Sequence, residues 1–220
     1  MLNTATDIRL FVMSQFFHIH PDNPQSRLVR QAVNIIRQGG VIVYPTDSGY
    51  ALGCHLGDKE AVQRIRQIRR LDENHLFTIV CRDLSELSTY AKVDNQVYRL
   101  LRAFTPGPYT FILTATKEVP RRLIHPNRKT IGLRIPDHVI ALSLLEALEE
   151  PMISTTLILA NEETPMIEPE AMREVLGKSV DLIIDGGNCG IEPTSVIDLT
   201  EEKPKLIRQG KGDVAPFLEA

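Results

Sequence analysis

The run Pro45-Thr46-Asp47-Ser48-Gly49-Tyr50 sets hydroxyls, a carboxylate and a glycine directly after the apolar stretch Val41-Ile42-Val43-Tyr44. Hydroxyls can hydrogen-bond a ligand's carboxylate or phosphate, and a glycine lets that ligand approach the backbone. The β-branched stretch reads as a buried strand ended by Pro45, and ligands of open sheets bind off the carboxyl ends of strands. The same residue types also make an ordinary strand-to-loop turn. The glycine spacing matches neither a P-loop nor a dinucleotide fingerprint.

Basic residues gather in two further places. Arg64, Arg66, Arg69 and Arg70 crowd one helical pattern, and Arg82 follows the next strand. Arg66, Arg69 and Arg70 stand at i, i+3 and i+4, so they can share one face and grip phosphate, or simply face solvent. Lys117, Arg121, Arg122, Arg128 and Lys129 cluster around Pro120 and Pro126. Arg134 differs, because it sits inside an apolar strand. A charge buried there needs a partner, either Asp137 or an anionic ligand. His138 is a general base or a structural residue at a helix start. Asp185-Gly186-Gly187 holds a metal or, the preferred reading, makes a tight turn. Cys54, Cys81 and Cys189 lie far apart with no activating partner or metal-ligand spacing nearby. No metal site is expected.

The elements that position these residues alternate in type. Ser26 can cap a helix whose apolar positions Leu28, Val29, Ala32, Val33 and Ile36 share a face, and Gly39-Gly40 stops it. Asp58 caps a second helix with Ala61, Val62, Ile65 and Ile68 inward. Strands are expected at 76–81, 109–114, 130–135, 152–155 and 180–184, and a final pair at 195–199 and 205–208. Helices are expected at 84–91, 96–104, 139–148 and 168–176. Such interleaving gives an α/β (α+β) layered domain with a twisted mixed sheet flanked by helices. With 220 residues, one domain over 14–220 is expected, with 1–13 as an N-terminal extension and Met13 an alternative start.

Composition removes several classes of function. A net charge of −3 excludes DNA binding by bulk charge but leaves room for a local basic patch. The absence of Trp and an aromatic share of 5% leave no platform for stacking single-stranded bases. No apolar run approaches the roughly 18 residues of a membrane span. The first residues lack the basic start and apolar core of a signal peptide, and an odd cysteine count suits a reducing compartment, so a cytoplasmic location is expected.

Taken in order, six segments resemble the YrdC-like family, most closely its YciO branch. They are Gly40–Gly53, Pro106–Leu113, Gly132–His138, Asp181–Gly187, Pro193–Asp198 and Ile207–Gly210. The likeness covers about Ser26 to Gly210. It implies a twisted α/β sheet around a positively charged cleft. Members with the full motif set are threonylcarbamoyl-AMP synthases, which join threonine, bicarbonate and ATP for tRNA modification. The family is also associated with double-stranded RNA and tRNA.

By position, the resemblance puts Thr46, Tyr50 and Thr110 near the threonine end of a ligand. Arg69 would face phosphate, and Ser195 and Arg208 would touch the nucleotide side. Arg70, Arg134 and Thr156 complete the expected binding set. Two departures matter. The synthases carry Lys-x-Arg after the second helix, where this chain reads Ile68-Arg69-Arg70-Leu71. They also carry Ser-x-Asn where it reads Thr156-Leu157-Ile158.

The leading expectation is therefore a protein that binds an adenine nucleotide, a threonylcarbamoyl-adenylate or RNA, with synthase activity weak or absent. The alternatives are a true synthase using Mg²⁺ with ATP, a hydrolase of threonylcarbamoyl-AMP with Asp47 or His138 positioning water, and a non-catalytic double-stranded RNA-binding module using Arg121, Arg122, Arg128 and Lys129. No organic cofactor is expected.

Overall fold

In a computed structural model the protein is described at residues 13–72, 75–160, 162 and 164–218. The strands are β1 (Gln15–His18), β2 (Ile42–Thr46), β3 (Gly49–His55), β4 (Thr78–Val80), β5 (Tyr109–Thr114), β6 (Thr130–Arg134), β7 (Met152–Thr156), β8 (Leu182–Asp185), β9 (Ser195–Asp198) and β10 (Lys205–Arg208). The helices are α1 (Ser26–Arg37), α2 (Lys59–Arg69), α3 (Leu84–Tyr90), α4 (Asn95–Phe104), α5 (Val139–Leu148), α6 (Pro169–Leu176) and α7 (Ala215–Leu218), with a 3₁₀ turn at Arg121–Leu123.

All ten strands join one sheet in the order β1-β8-β2-β3-β7-β4-β6-β5-β9-β10. Strands β1 and β2 run parallel to β8, β4 parallel to β6, and β5 parallel to β9. The remaining neighbours are antiparallel. The expected single mixed-sheet α/β domain is what the chain forms.

Both faces of the sheet are covered. Ile42, Tyr44 and Leu182 pack beneath α1 and α5 on one face. Val41, Val43 and Leu52 pack beneath α2, α3, α4 and α6 on the other. A strand covered on both faces has no need to alternate polar and apolar residues. That explains why β2 reads as an unbroken apolar run.

Several boundaries differ from the sequence reading. The α1 cap is Gln25, not Ser26, and no side chain caps that end. Asp58 does cap α2, accepting from the Ala61 N–H at 2.8 Å. Strand β2 continues through Pro45 to Thr46, because its pairing with β8 ends at Val43 and a proline is tolerated where a strand is paired on one side only. The expected loop after Tyr44 is thus a tight hairpin into β3. Strand β3 escaped notice because it is buried almost throughout and carries two glycines, so no alternation marks it. Strand β1 carries no pattern that marks it in the sequence, and its hydrogen bonds to β8 begin the described sheet. The extension expected at the N-terminus lies, through residue 12, outside the described residues.

Candidate functional site

The site is built around the β2–β3 hairpin. Its turn is Asp47-Ser48, closed by Thr46 paired with Gly49. The Thr46 hydroxyl donates to the Gly49 carbonyl at 2.6 Å and accepts from the Ser48 N–H at 3.2 Å. Gly49 has φ +119°, and a Cβ there would stand 3.2 Å from the Gly190 carbonyl oxygen. A side chain would thus be strained by the backbone and pressed by the 186–194 loop.

Arg134 on β6 locks the turn. It pairs with the Asp47 carboxylate and donates to Ser48 Oγ at 3.1 Å. The second Asp47 oxygen accepts from the Asp137 N–H at 3.1 Å, and Lys211 donates to the Asp47 carbonyl. The partner of Arg134 is therefore Asp47, correcting the choice between Asp137 and a ligand. The Asp137 side chain is displaced from that role because its backbone binds the same carboxylate. Asp47, with both oxygens taken, is a poor candidate for positioning water.

Beside the hairpin lies a cavity of about 290 Å³, walled by β5, β6, β7 and the end of α2. Thr46, Tyr50, Arg69, Thr110, Arg134, Thr156 and Arg208, expected from sequence, all face it. Thr110 and Thr194 share a hydroxyl–hydroxyl bond of 2.9 Å. Tyr50 donates to the Gly187 carbonyl at 2.8 Å and accepts from the Gly186 N–H at 3.2 Å. Burial pushes its hydroxyl pKa well above the ordinary tyrosine range.

The two wall arginines differ from Arg134. Arg69 Nε donates to the Ile158 carbonyl at 2.9 Å, and its Nη1 donates to Thr155 Oγ1. Arg208 donates from Nη2 to the Thr194 carbonyl at 2.9 Å. Neither forms an ion pair among the described residues, and burial lowers the pKa of both. Guanidinium groups held this way can still present N–H donors to an anion.

Two expected residues lie elsewhere. Arg70 is exposed in a left-handed cap conformation, φ +49°, outside the cavity wall. Arg66 stacks on the Phe77 ring at 4.8 Å and donates to the Asp72 carbonyl at 2.5 Å. The α2 arginines therefore do not form one basic surface, because the helix ends at Arg69 and each side chain takes a separate task. Ser195 is fully buried and structural. It donates to the Gly212 carbonyl at 2.6 Å and accepts from the Gly210 N–H at 2.9 Å. Its neighbour Thr194 faces the cavity instead, as strand alternation requires.

His138 is outside the wall, with its Nδ1 buried and without a hydrogen-bond partner among the described residues, and burial lowers its pKa. Of the loop cations, Arg122 donates to the carbonyls of Leu56 and Gly57 at 3.2 and 3.0 Å, and Lys129 to the Pro126 carbonyl at 2.6 Å. Arg128 lies 3.8 Å from Asp198, and Arg121 is exposed. None of these four lines the cavity. Asp185 accepts from His18 at 2.8 Å and from the Gly187 N–H at 3.0 Å, which makes the tight turn. Burial raises the Cys54 and Cys189 thiols to about 12 and about 11, so both stay protonated.

Among the described residues no cluster of three His, Cys, Asp or Glu could hold a metal, and the cavity wall has no acidic side chain. Mg²⁺ takes carboxylates and phosphate oxygens, so this donor set does not form a resident Mg²⁺ site. No described helix is long and apolar enough to cross a membrane.

Six polar wall residues were not among the candidates from sequence: His75, Thr78, Thr130, Ser154, Thr155 and Thr194. Thr194 adjoins the matched Ser195 and was one register step away. His75 follows no motif, and only the three-dimensional path of the connection after α2 brings it to the wall.

The fold and the site together define an α/β domain with a ligand-sized, partly cationic cavity at the end of a hairpin. The chain belongs to the Sua5/YciO/YrdC family, whose domain, described as telomere recombination, matches residues 34–210. It is 64% identical over 207 residues to a protein of Haemophilus influenzae, aligning 94% of this chain with all of that one. Escherichia coli YciO is 62% identical over 206 residues, and its crystal structure superposes with a TM-score of 0.89 over 93% of this chain and all of that one. A threonylcarbamoyl-AMP synthase of Pyrococcus abyssi is 34% identical over 185 residues, 83% of this chain but only 54% of that longer one. The structure of P. abyssi Sua5 complexed with L-threonine matches with a TM-score of 0.82 at 28% identity, covering 90% of this chain and 58% of that one.

Proposed function

We propose that the cavity binds an adenylate carrying a threonine-derived acyl group, of the threonylcarbamoyl-AMP type, and that synthesis of this compound from ATP is weak or absent. The observation that carries this reading is the pairing of opposed features in one wall. Arg69 and Arg208 offer guanidinium donors with no carboxylate partner among the described residues, while the hydroxyls of Thr46, Thr110 and Thr194 line the same cavity where the amino-acid part would sit. The L-threonine in P. abyssi Sua5 supports assigning the amino-acid part to a cavity of this kind.

The weakness in synthesis follows from Ile158. It faces the cavity where the family motif carries an asparagine. An isoleucine cannot hydrogen-bond a polyphosphate or its Mg²⁺ shell. The loss of one bond to a charged group costs roughly 1.5–3 kcal/mol, about tenfold to over a hundredfold. Arg70, turned out to solvent, leaves the second basic position of the Lys-x-Arg motif empty as well. Any Mg²⁺ would arrive on the triphosphate. An RNA surface at the 121–129 loop has less support, because Arg128 lies beside the Asp198 carboxylate and none of these cations lines the cavity.

The test measures pyrophosphate released from ATP, threonine, bicarbonate and Mg²⁺, beside the P. abyssi synthase. Release at least about tenfold slower, partly restored by Ile158→Asn, is the expected result. Equal release would show a competent synthase and remove the claim of weakness.

A further inference from the structure

His75 is the wall imidazole, and the binding account leaves it without a task. It lies between α2 and β4, and its ring meets Phe77 edge-on at 5.5 Å and 82°. Arg66 stacks on the same Phe77 ring, 4.8 Å from its centre. The imidazole is thus held in orientation while it faces the cavity. No hydrogen bond from either ring nitrogen to a described residue is present, whereas the imidazoles of His18 and His55 are both bonded to carboxylates.

The rest of the wall consists of hydroxyls, guanidinium groups and apolar side chains. Among the described residues, His75 is the one wall group able to take up a proton near neutral pH. Burial first, and then the charges of Arg69 and Arg66, lower its pKa, with Asp72 opposing them. Across the cavity stand Arg208 on β10 and Arg134 on β6, the latter paired with Asp47. Burial together with Arg69 and Arg66 favours the neutral imidazole, which is the state a general base requires.

We propose that His75 is the general base for hydrolysis of the acyl-adenylate that this cavity binds, releasing AMP. The inference rests on the binding reading above. It assigns the role left vacant by Asp47, whose carboxylate is spent on Arg134, and by His138, which is not in the wall. A water oxygen attacks the acyl carbon while the free His75 nitrogen accepts its proton. The bond from that carbon to the phosphate oxygen breaks, and its electron pair leaves on AMP. The other water proton stays on the acyl product, a carbamic acid, and the imidazolium returns its proton to solvent. Arg69, beside His75, offers donors to the charge that develops on the phosphate.

The experiment supplies purified full-length protein with threonylcarbamoyl-AMP and follows AMP by chromatography, with AMP binding measured in parallel by calorimetry. Wild type should release AMP faster than buffer does. His75→Ala and His75→Gln should each slow release by about a hundredfold or more while AMP affinity stays within about threefold. The wild-type rate should be level through neutral pH and fall as pH drops below about 6.5, a limb absent in His75→Gln. AMP binding with no accelerated hydrolysis, or hydrolysis unchanged in both variants, would overturn the role of His75 and leave the binding reading standing. A wild type that binds neither AMP nor L-threonine would overturn both.

Discussion

Two basic regions border the same cavity and do different work. At the hairpin floor, Arg134 is buried, its charge paired with Asp47 and its Nη1 spent on Ser48. On the side wall, Arg69 and Arg208 are bonded to neutral carbonyl and hydroxyl oxygens. A guanidinium with a carboxylate partner is a structural element, and its removal strands the other charge. A guanidinium held by neutral oxygens keeps its charge available to a ligand. Residue type alone does not separate the two cases, but the partner does.

The largest expected effect tests the floor. Arg134→Ala leaves the Asp47 carboxylate buried and uncompensated, so unfolding in urea should show a loss of about 3–5 kcal/mol. A loss under about 1 kcal/mol would mean that the pair does not hold the turn. The wall should answer in the opposite way. Arg69→Ala should weaken AMP binding by roughly tenfold to a hundredfold, with stability reduced by less than about 1.5 kcal/mol. Equal stability losses for the two arginines would erase the distinction.

A third prediction checks that Ser195 belongs with the floor and not with the wall. Ser195→Ala removes the acceptor of the Gly210 N–H and the donor to Gly212, and should cost about 1–3 kcal/mol of stability with AMP affinity unchanged. A selective loss of AMP binding would return Ser195 to the site. The smallest effect concerns pH. Folding lowers the pKa of His75 and His138, chiefly through burial. The unfolded chain therefore binds these protons more readily. Their contribution is present above the unfolded pKa near 6.5 and is lost as pH falls toward the folded values. Stability should decline modestly below about pH 6.5, and less so in His75→Gln.

The sheet and most helices were legible because their patterns are local. The 3.6-residue spacing in α1 and the apolar run of β2 each report which faces are covered. Strand β3 was not legible, since a strand buried on both faces and rich in glycine resembles a loop. Within the site, the motif residues Thr46, Tyr50 and Thr110 could be placed at the cavity from their neighbours in sequence. The division of labour among Asp47, Arg134 and Lys211 could not, because it joins residues more than 80 positions apart. His75 was invisible for the same reason, as its place depends on how the chain leaves α2.

The central claim is that this cavity, through wall arginines Arg69 and Arg208 that form no ion pair among the described residues, binds an adenylate. Calorimetric titration of wild type and Arg69→Ala with AMP, in the presence and absence of L-threonine, tests it most directly. The account predicts saturable AMP binding to wild type and a drop of about tenfold or more in Arg69→Ala, with the unfolding free energy from urea titration unchanged to within about 1.5 kcal/mol. No AMP binding to wild type, or equal binding by the two proteins, would contradict it.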